Sequence, residues 1–160
     1  MKTTYLFPYR YKFVSGIVFL ASFILFVLFY YFNEYADFNI KAKVFAIVGN
    51  SGFEGKNKWF DWVQTSITDE ILFAFLIISG LVYAFSKEKT EDEMVASIRL
   101  NSLVKATIGN YLILLFLYLT VYGFSFLMVL DVAMFSQLLI FIVLFRISMY
   151  RFNKSGRNEE

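Results

Sequence analysis

The sequence has no cysteine and no histidine, and its 160 residues include a single proline. Without cysteine there are no disulfides, no thiolate nucleophile and no thiolate-bound metal. Without histidine the chain lacks the side chain most often used for proton transfer near neutral pH. Charge is scarce too. Charged residues make up 18% of the chain, and the net charge of +2 is too small a surplus to imply a nucleic-acid partner. There is no phosphate-cradling glycine loop, no G-x-S-x-G elbow and no zinc-protease motif. These absences argue against an enzyme, and neither a cofactor nor a metal is expected.

Apolar side chains fill the space instead. The chain is 59% hydrophobic, with 21 Phe and 11 Tyr, against roughly 45–50% for soluble domains. A water-soluble domain of this length could not hide that much apolar surface behind so thin a polar shell. Lipid removes the difficulty, because the solvent is itself apolar. The fold class read from the sequence is therefore an all-α membrane protein, a four-transmembrane-helix bundle forming a single membrane domain over residues 1–160.

A hydrocarbon core of ~30 Å needs about 20 apolar residues in helix. Residues 13–32, "FVSGIVFLASFILFVLFYYF", carry no charge and make the first span. The basic start (Lys2, Arg10, Lys12) fits a signal peptide, but the apolar stretch is longer than a signal core and no A-x-A site follows, so the span is read as retained. The second span, about 70–86, is short, so its flanks or a thinner bilayer must make up the length. The apolar run 106–150 is too long for one crossing. Gly123 and the lone acid Asp131 suggest a break, with spans at about 106–126 and 132–152. Tyr and Trp near the span ends, such as Tyr30, Tyr31, Trp59, Trp62 and Tyr150, suit the headgroup level. Lys and Arg concentrate in the N-terminal tail, the 87–105 segment and the C-terminal end, which together hold all but four of the fifteen basic residues. The remaining four lie in the loop 33–69. Both termini are thus expected on the cytoplasmic side, and that loop outside.

The stretch "SKEKTEDEMVASIRLNSL" (86–103) gathers Glu88, Glu91, Asp92 and Glu93 between two apolar runs. Thr90 and Glu93 have capping-box spacing, which predicts a helix start, with Glu91 and Asp92 in a first turn that favours negative charge. No Gly or Pro follows before Gly109. The third helix should therefore extend into the cytoplasm over about 90–105. Met94, Val95 and Ile98 share one stripe, and Asp92 and Arg99 lie on another face. These five residues form a candidate partner-docking face, although the stripe also suits packing on neighbouring segments. The three consecutive acids point about 100° apart on a helix and cannot converge on one cation.

In the outer loop, "IKAKVFAIV" (40–48) alternates with period two and suggests a short strand, "GNSG" a turn, and "KWFDWVQ" an interfacial helix. Ser66 and Thr68 resemble an N-cap for the second span. Within the spans, Asn110 and Arg146 lie at similar depth on antiparallel helices and form a candidate intramembrane polar contact. Gly80 and Ala84 make a small-xxx-small pair where another helix can approach closely.

"LFPYRYKFVSG" and "FSKEKTEDEMVASIRLNSL" resemble a group of small bacterial four-span inner-membrane proteins with no assigned activity. The resemblance runs along most of the chain and is most specific over residues 87–103. It implies a complete, multi-pass protein of the bacterial inner (cytoplasmic) membrane, and it carries over no ligand, cofactor or functional residue. The expected role is that of a non-enzymatic accessory, sensor or regulatory subunit. Such a protein would be embedded among membrane lipids and act through a protein partner or as a homo-oligomer. The competing expectation is a subunit of an oligomeric channel or small-solute transporter.

Overall fold

The structure, a computed structural model, describes residues 6–32, 40–49, 58–123 and 125–157. It is mostly helical. The order is α1 (Tyr9–Phe32), β1 (Lys41–Gly49), β2 (Lys58–Ser66), α2 (Thr68–Ala84), α3 (Glu93–Thr120) and α4 (Ser125–Arg157). Helices α1, α3 and α4 are long and apolar enough to cross a membrane. With 17 residues, α2 is shorter, and at 1.5 Å per residue it reaches ~25 Å. The chain forms two compact units, Met1–Phe19 with Ile77–Glu160, and Leu20–Leu76.

The smaller unit holds the β-hairpin. Strands β1 and β2 pair antiparallel in a register that sets Val44 opposite Val63 and Phe45 opposite Trp62. The period-two pattern is visible in burial. Ala42, Val44 and Ala46 are half-buried, whereas Lys43, Phe45 and Ile47 are exposed. Ile67 N–H donates to the Ile40 carbonyl at 3.0 Å, and Ile40 N–H donates to Thr68 Oγ1 at 2.9 Å. These bonds close the base of the hairpin and use the Thr68 hydroxyl that sequence suggested for a cap. "KWFDWVQ" is strand, not the expected interfacial helix. Seven residues give barely two helical turns, too few to stand alone. Its aromatic and β-branched side chains pair instead across a ladder with β1. The expected "GNSG" turn lies largely outside the described residues. In the helical part of this unit, Phe26 is buried against Phe73, with ring centroids 4.8 Å apart.

The larger unit is built on the antiparallel pair α3 and α4. Ala106, Phe135, Phe141, Phe145 and Met149 are buried in it. The break between the two helices falls before Ser125, and Asp131 lies inside α4, contrary to the boundaries at 126 and 132 expected from sequence. Gly123 makes the turn with φ +73°, a conformation other residues rarely adopt. Val121 N–H closes the end of α3 on the Leu117 carbonyl at 2.8 Å. A single acid does not break a helix, whereas a glycine with positive φ does.

Gly80 and Ala84 lie at a close approach, as their spacing suggested. A Cβ added at Gly80 would stand 2.5 Å from Leu138 Cδ2 and 2.8 Å from Phe19 Cε2, and Ala84 is buried. At Gly109 an added Cβ meets nothing within 4 Å. Gly80→Val is therefore expected to destabilise the protein by about 1–3 kcal/mol through overpacking. Gly109→Ala should leave stability unchanged or raise it by up to ~1 kcal/mol through helix propensity. Thermal unfolding of the two variants in detergent checks the pair.

Candidate functional site

Two ion pairs of the larger unit lie where the N-terminal segment meets the connection between α2 and α3. Phe7 N–H donates to the Phe85 carbonyl at 3.0 Å, and Lys87 N–H donates to the Phe7 carbonyl at 2.9 Å. This short parallel bridge pins the chain just ahead of α1. Pro8 follows, at a helix edge where its missing N–H costs no helical bond. One turn into α1, Lys12 is buried and ion-paired with Glu88, 76 residues away in sequence.

Glu91 forms the second pair. Its Oε1 accepts from Arg99 Nη1 at 2.6 Å, and its Oε2 from Arg99 Nη2 at 3.1 Å and from Glu88 N–H at 2.9 Å. This two-bond fork is the geometry in which guanidinium–carboxylate pairs are strongest. The Arg99 guanidinium also lies over the Phe145 ring, 5.2 Å from its centroid. Arg99 is only 7% exposed, and its Nε has no hydrogen-bond partner. Burial works to raise the Glu91 pKa. The Arg99 hydrogen bond and charge, the Glu88 N–H and the Lys12 charge outweigh that effect and hold the carboxyl below its ordinary 4.5.

The acidic cluster is thus divided among separate tasks. Glu88 and Glu91 neutralise Lys12 and Arg99. Asp92 caps α3, its Oδ1 accepting from Val95 N–H at 2.8 Å. The capping box expected at Thr90 and Glu93 does not form; a simple N-cap at Asp92, two residues later, takes its place, and Glu91 lies ahead of the helix, paired with Arg99. The expected docking face is distributed in the same way. Val95 and Arg99 are buried, Ile98 is half-buried, and Met94 is exposed.

Asn110 and Arg146 do not meet. Asn110 Oδ1 accepts from Ser136 Oγ at 2.6 Å, and the neighbouring Gln137 Nε2 donates to Thr107 Oγ1 at 3.1 Å. Arg146 Nε donates to the Tyr83 hydroxyl at 2.7 Å, its Nη2 contacts the same oxygen, and its guanidinium lies 5.0 Å from the Tyr83 centroid. The position of the turn explains the difference. Asn110 with Ser136, and Arg99 with Phe145, are centred on residues 122–123, where the chain reverses. A break near Asp131 would have brought Arg146 opposite Asn110 instead.

Sequence reasoning missed Lys12–Glu88 and Tyr83. Tyr83 stacks on Phe19, with ring planes 9° apart and centroids 6.4 Å apart, and it lies against Gly16, where an added Cβ would meet it at 2.9 Å. No spacing rule links residues so far apart. The signal in sequence was an acidic cluster with more carboxylates than the single Arg99 further along α3 can pair.

In the smaller unit, the hairpin presents Phe45, Ile47, Phe60 and Trp62 to the surroundings, each more than half exposed. Phe45 and Trp62 meet edge to face, with centroids 5.7 Å apart, and Phe60 holds a left-handed φ of +54° that is rare for a bulky residue. A groove of about 380 Å³ between Leu25, Leu28, Phe29, Phe32 and Leu72 is apolar throughout. Among the described residues, no three acidic, His or Cys side chains gather as a metal site. No family model, no curated protein and no solved structure matches the chain.

Removing one partner of the Glu91–Arg99 pair leaves the other buried and unpaired, which costs about 3 kcal/mol, the low end of the range for such pairs because Glu91 is partly exposed. Glu91→Gln should show this loss near neutral pH. The double variant Glu91→Leu/Arg99→Met should recover most of it, since an apolar pair carries no stranded charge. Because the folded Glu91 pKa lies below 4.5, the contribution of the pair is complete above that value and is lost as pH falls through the folded one. Melting temperature against pH should therefore drop in acid for the wild type and be flatter for Glu91→Gln.

Proposed function

We propose that the chain is a four-span protein of the bacterial inner membrane, related to the small proteins its two segments resemble, and that it acts without catalysis by contacting other proteins. The membrane reading draws support from inverted polarity. Ser15, Ser22, Ser79, Ser102 and Asn110 are buried, while Phe13, Ile17, Leu20, Leu112, Phe116 and Val143 are exposed. That distribution suits a solvent that cannot hydrogen-bond.

The contact of Phe7 with Phe85 and Lys87 brings the start of α1 to the end of α2. It thereby supports a fourth crossing by α2, made with the help of flanking residues and a locally thinner bilayer. Antiparallel α4 returns to the same end, so Arg10, Lys87, Lys89, Arg151 and Lys154 collect there, all exposed. Such a basic end belongs on the cytoplasmic side. A span of about 20 residues ending at Thr120 leaves about eight residues of α3, ~12 Å, beyond the core. This is a shorter projection than the sequence suggested.

The single observation that carries the contact role is the exposed aromatic face of the hairpin. Four large apolar side chains of the two strands, Phe45, Ile47, Phe60 and Trp62, are each more than half exposed. Exposed aromatic side chains of this kind mark interaction surfaces. A photo-crosslinking amino acid at Trp62 or Phe45, introduced in native membranes, should yield a discrete protein–protein adduct. The same probe at exposed Lys105, on α3, should not. Adducts to lipid alone from the hairpin positions would refute the contact role.

A further inference from the structure

We propose that Arg146 and Tyr83 form a binding site for the phosphate group of a net-anionic phospholipid. The argument begins with charge. Glu88 and Glu91 are taken, the first by Lys12 and the second by Arg99. Arg146 has no acidic partner among the described residues. It is exposed on α4 among exposed apolar side chains, with Val143 and Ile147 flanking it and Tyr150 one turn on. A guanidinium in that setting favours an anion beside it.

The donors are already arranged. Arg146 uses Nε and Nη2 on one oxygen, the Tyr83 hydroxyl. Among the described residues its Nη1 makes no hydrogen bond, and a phenol that accepts from a guanidinium keeps its own O–H to donate. The guanidinium is held over the Tyr83 ring at 5.0 Å, and that ring is stacked on Phe19. Little side-chain freedom is therefore lost when a ligand arrives. Phosphate, with several acceptor oxygens and negative charge, complements this donor set. The exposed Arg151 and Lys154, further along α4, favour a headgroup whose net charge is negative over a zwitterionic one. Inorganic phosphate shares the chemistry but has no acyl chain to lie along the neighbouring apolar surface, so the lipid is the proposed source.

The inference rests on the membrane reading, and its test separates the two. The full chain is extracted in a neutral detergent and offered phosphatidylglycerol or phosphatidylcholine. Lipid retained after delipidation is then measured by native mass spectrometry. The wild type should retain phosphatidylglycerol in preference to phosphatidylcholine. Arg146→Gln should lose that retention at least roughly tenfold, as expected for a hydrogen bond to a charged group. Tyr83→Phe, which keeps the ring stack, should weaken it less, and Lys105→Gln, a charge-matched change on α3, should leave it unchanged. Melting curves for each variant show whether the fold is intact.

Equal retention of both lipids, or retention that survives Arg146→Gln, overturns the site. Displacement of bound lipid by millimolar inorganic phosphate overturns the lipid assignment. A chain that stays soluble without detergent overturns the membrane reading itself.

Discussion

Two ion pairs, Lys12 with Glu88 and Arg99 with Glu91, hold the polar connection between α2 and α3 against the start of α1 and the body of α3. Each cation is buried beside apolar side chains, where an unpaired charge would be costly. Each acid in turn comes from a connection too short and polar to hold a shape of its own. The pairing therefore works both ways. It neutralises the helices, and it fixes the connection alongside the backbone bonds to Phe7 and the packing of Phe85 on Phe141. The Arg99–Phe145 stack carries the constraint on to α4, and the Arg146–Tyr83 contact returns it to α2.

The same logic runs through the rest of the larger unit at lower stakes. Ser136 and Gln137 reach across to Asn110 and Thr107, Thr107 donates to the Leu103 carbonyl one turn back in α3, and Ser86, just past α2, donates to the Val82 carbonyl. The polar side chains turn inward and find partners, while the large apolar side chains turn out. In water this would be a poor arrangement. In lipid it is the one that leaves the fewest hydrogen-bonding groups without partners. The hairpin of the smaller unit obeys a different rule. Its backbone bonds are met by strand pairing, and its outer face is left aromatic.

Much of this architecture was legible from local pattern. The length and apolar content of the first helix, the period-two alternation of 40–48 and the small pair at Gly80 and Ala84 each depend on near neighbours in sequence. Three features were not. The segment at Trp59–Trp62 read as a helix because its aromatic content fits a membrane interface, and the strand it pairs with lies well before it in the chain. From sequence, Gly123 and Asp131 together mark the break between α3 and α4, with spans at about 106–126 and 132–152, whereas Gly123 alone supplies the required backbone. A turn placed that late in the chain also sets a register with Asn110 opposite Arg146, whereas the observed turn sets Asn110 against Ser136. The acidic cluster stands out in sequence, but of its two partners Arg99 lies eight residues on, whereas Lys12 is brought to it only by tertiary structure.

The most direct test of the proposed account is topological. Because the natural chain has no cysteine, single substitutions Lys43→Cys, Lys89→Cys and Lys154→Cys give clean reporters for a membrane-impermeant maleimide applied to spheroplasts. The account predicts that Lys43→Cys is labelled in intact spheroplasts, and that Lys89→Cys and Lys154→Cys are labelled only after the membrane is opened. Labelling of Lys43→Cys and Lys89→Cys from the same side would mean that α2 does not cross, and would contradict it.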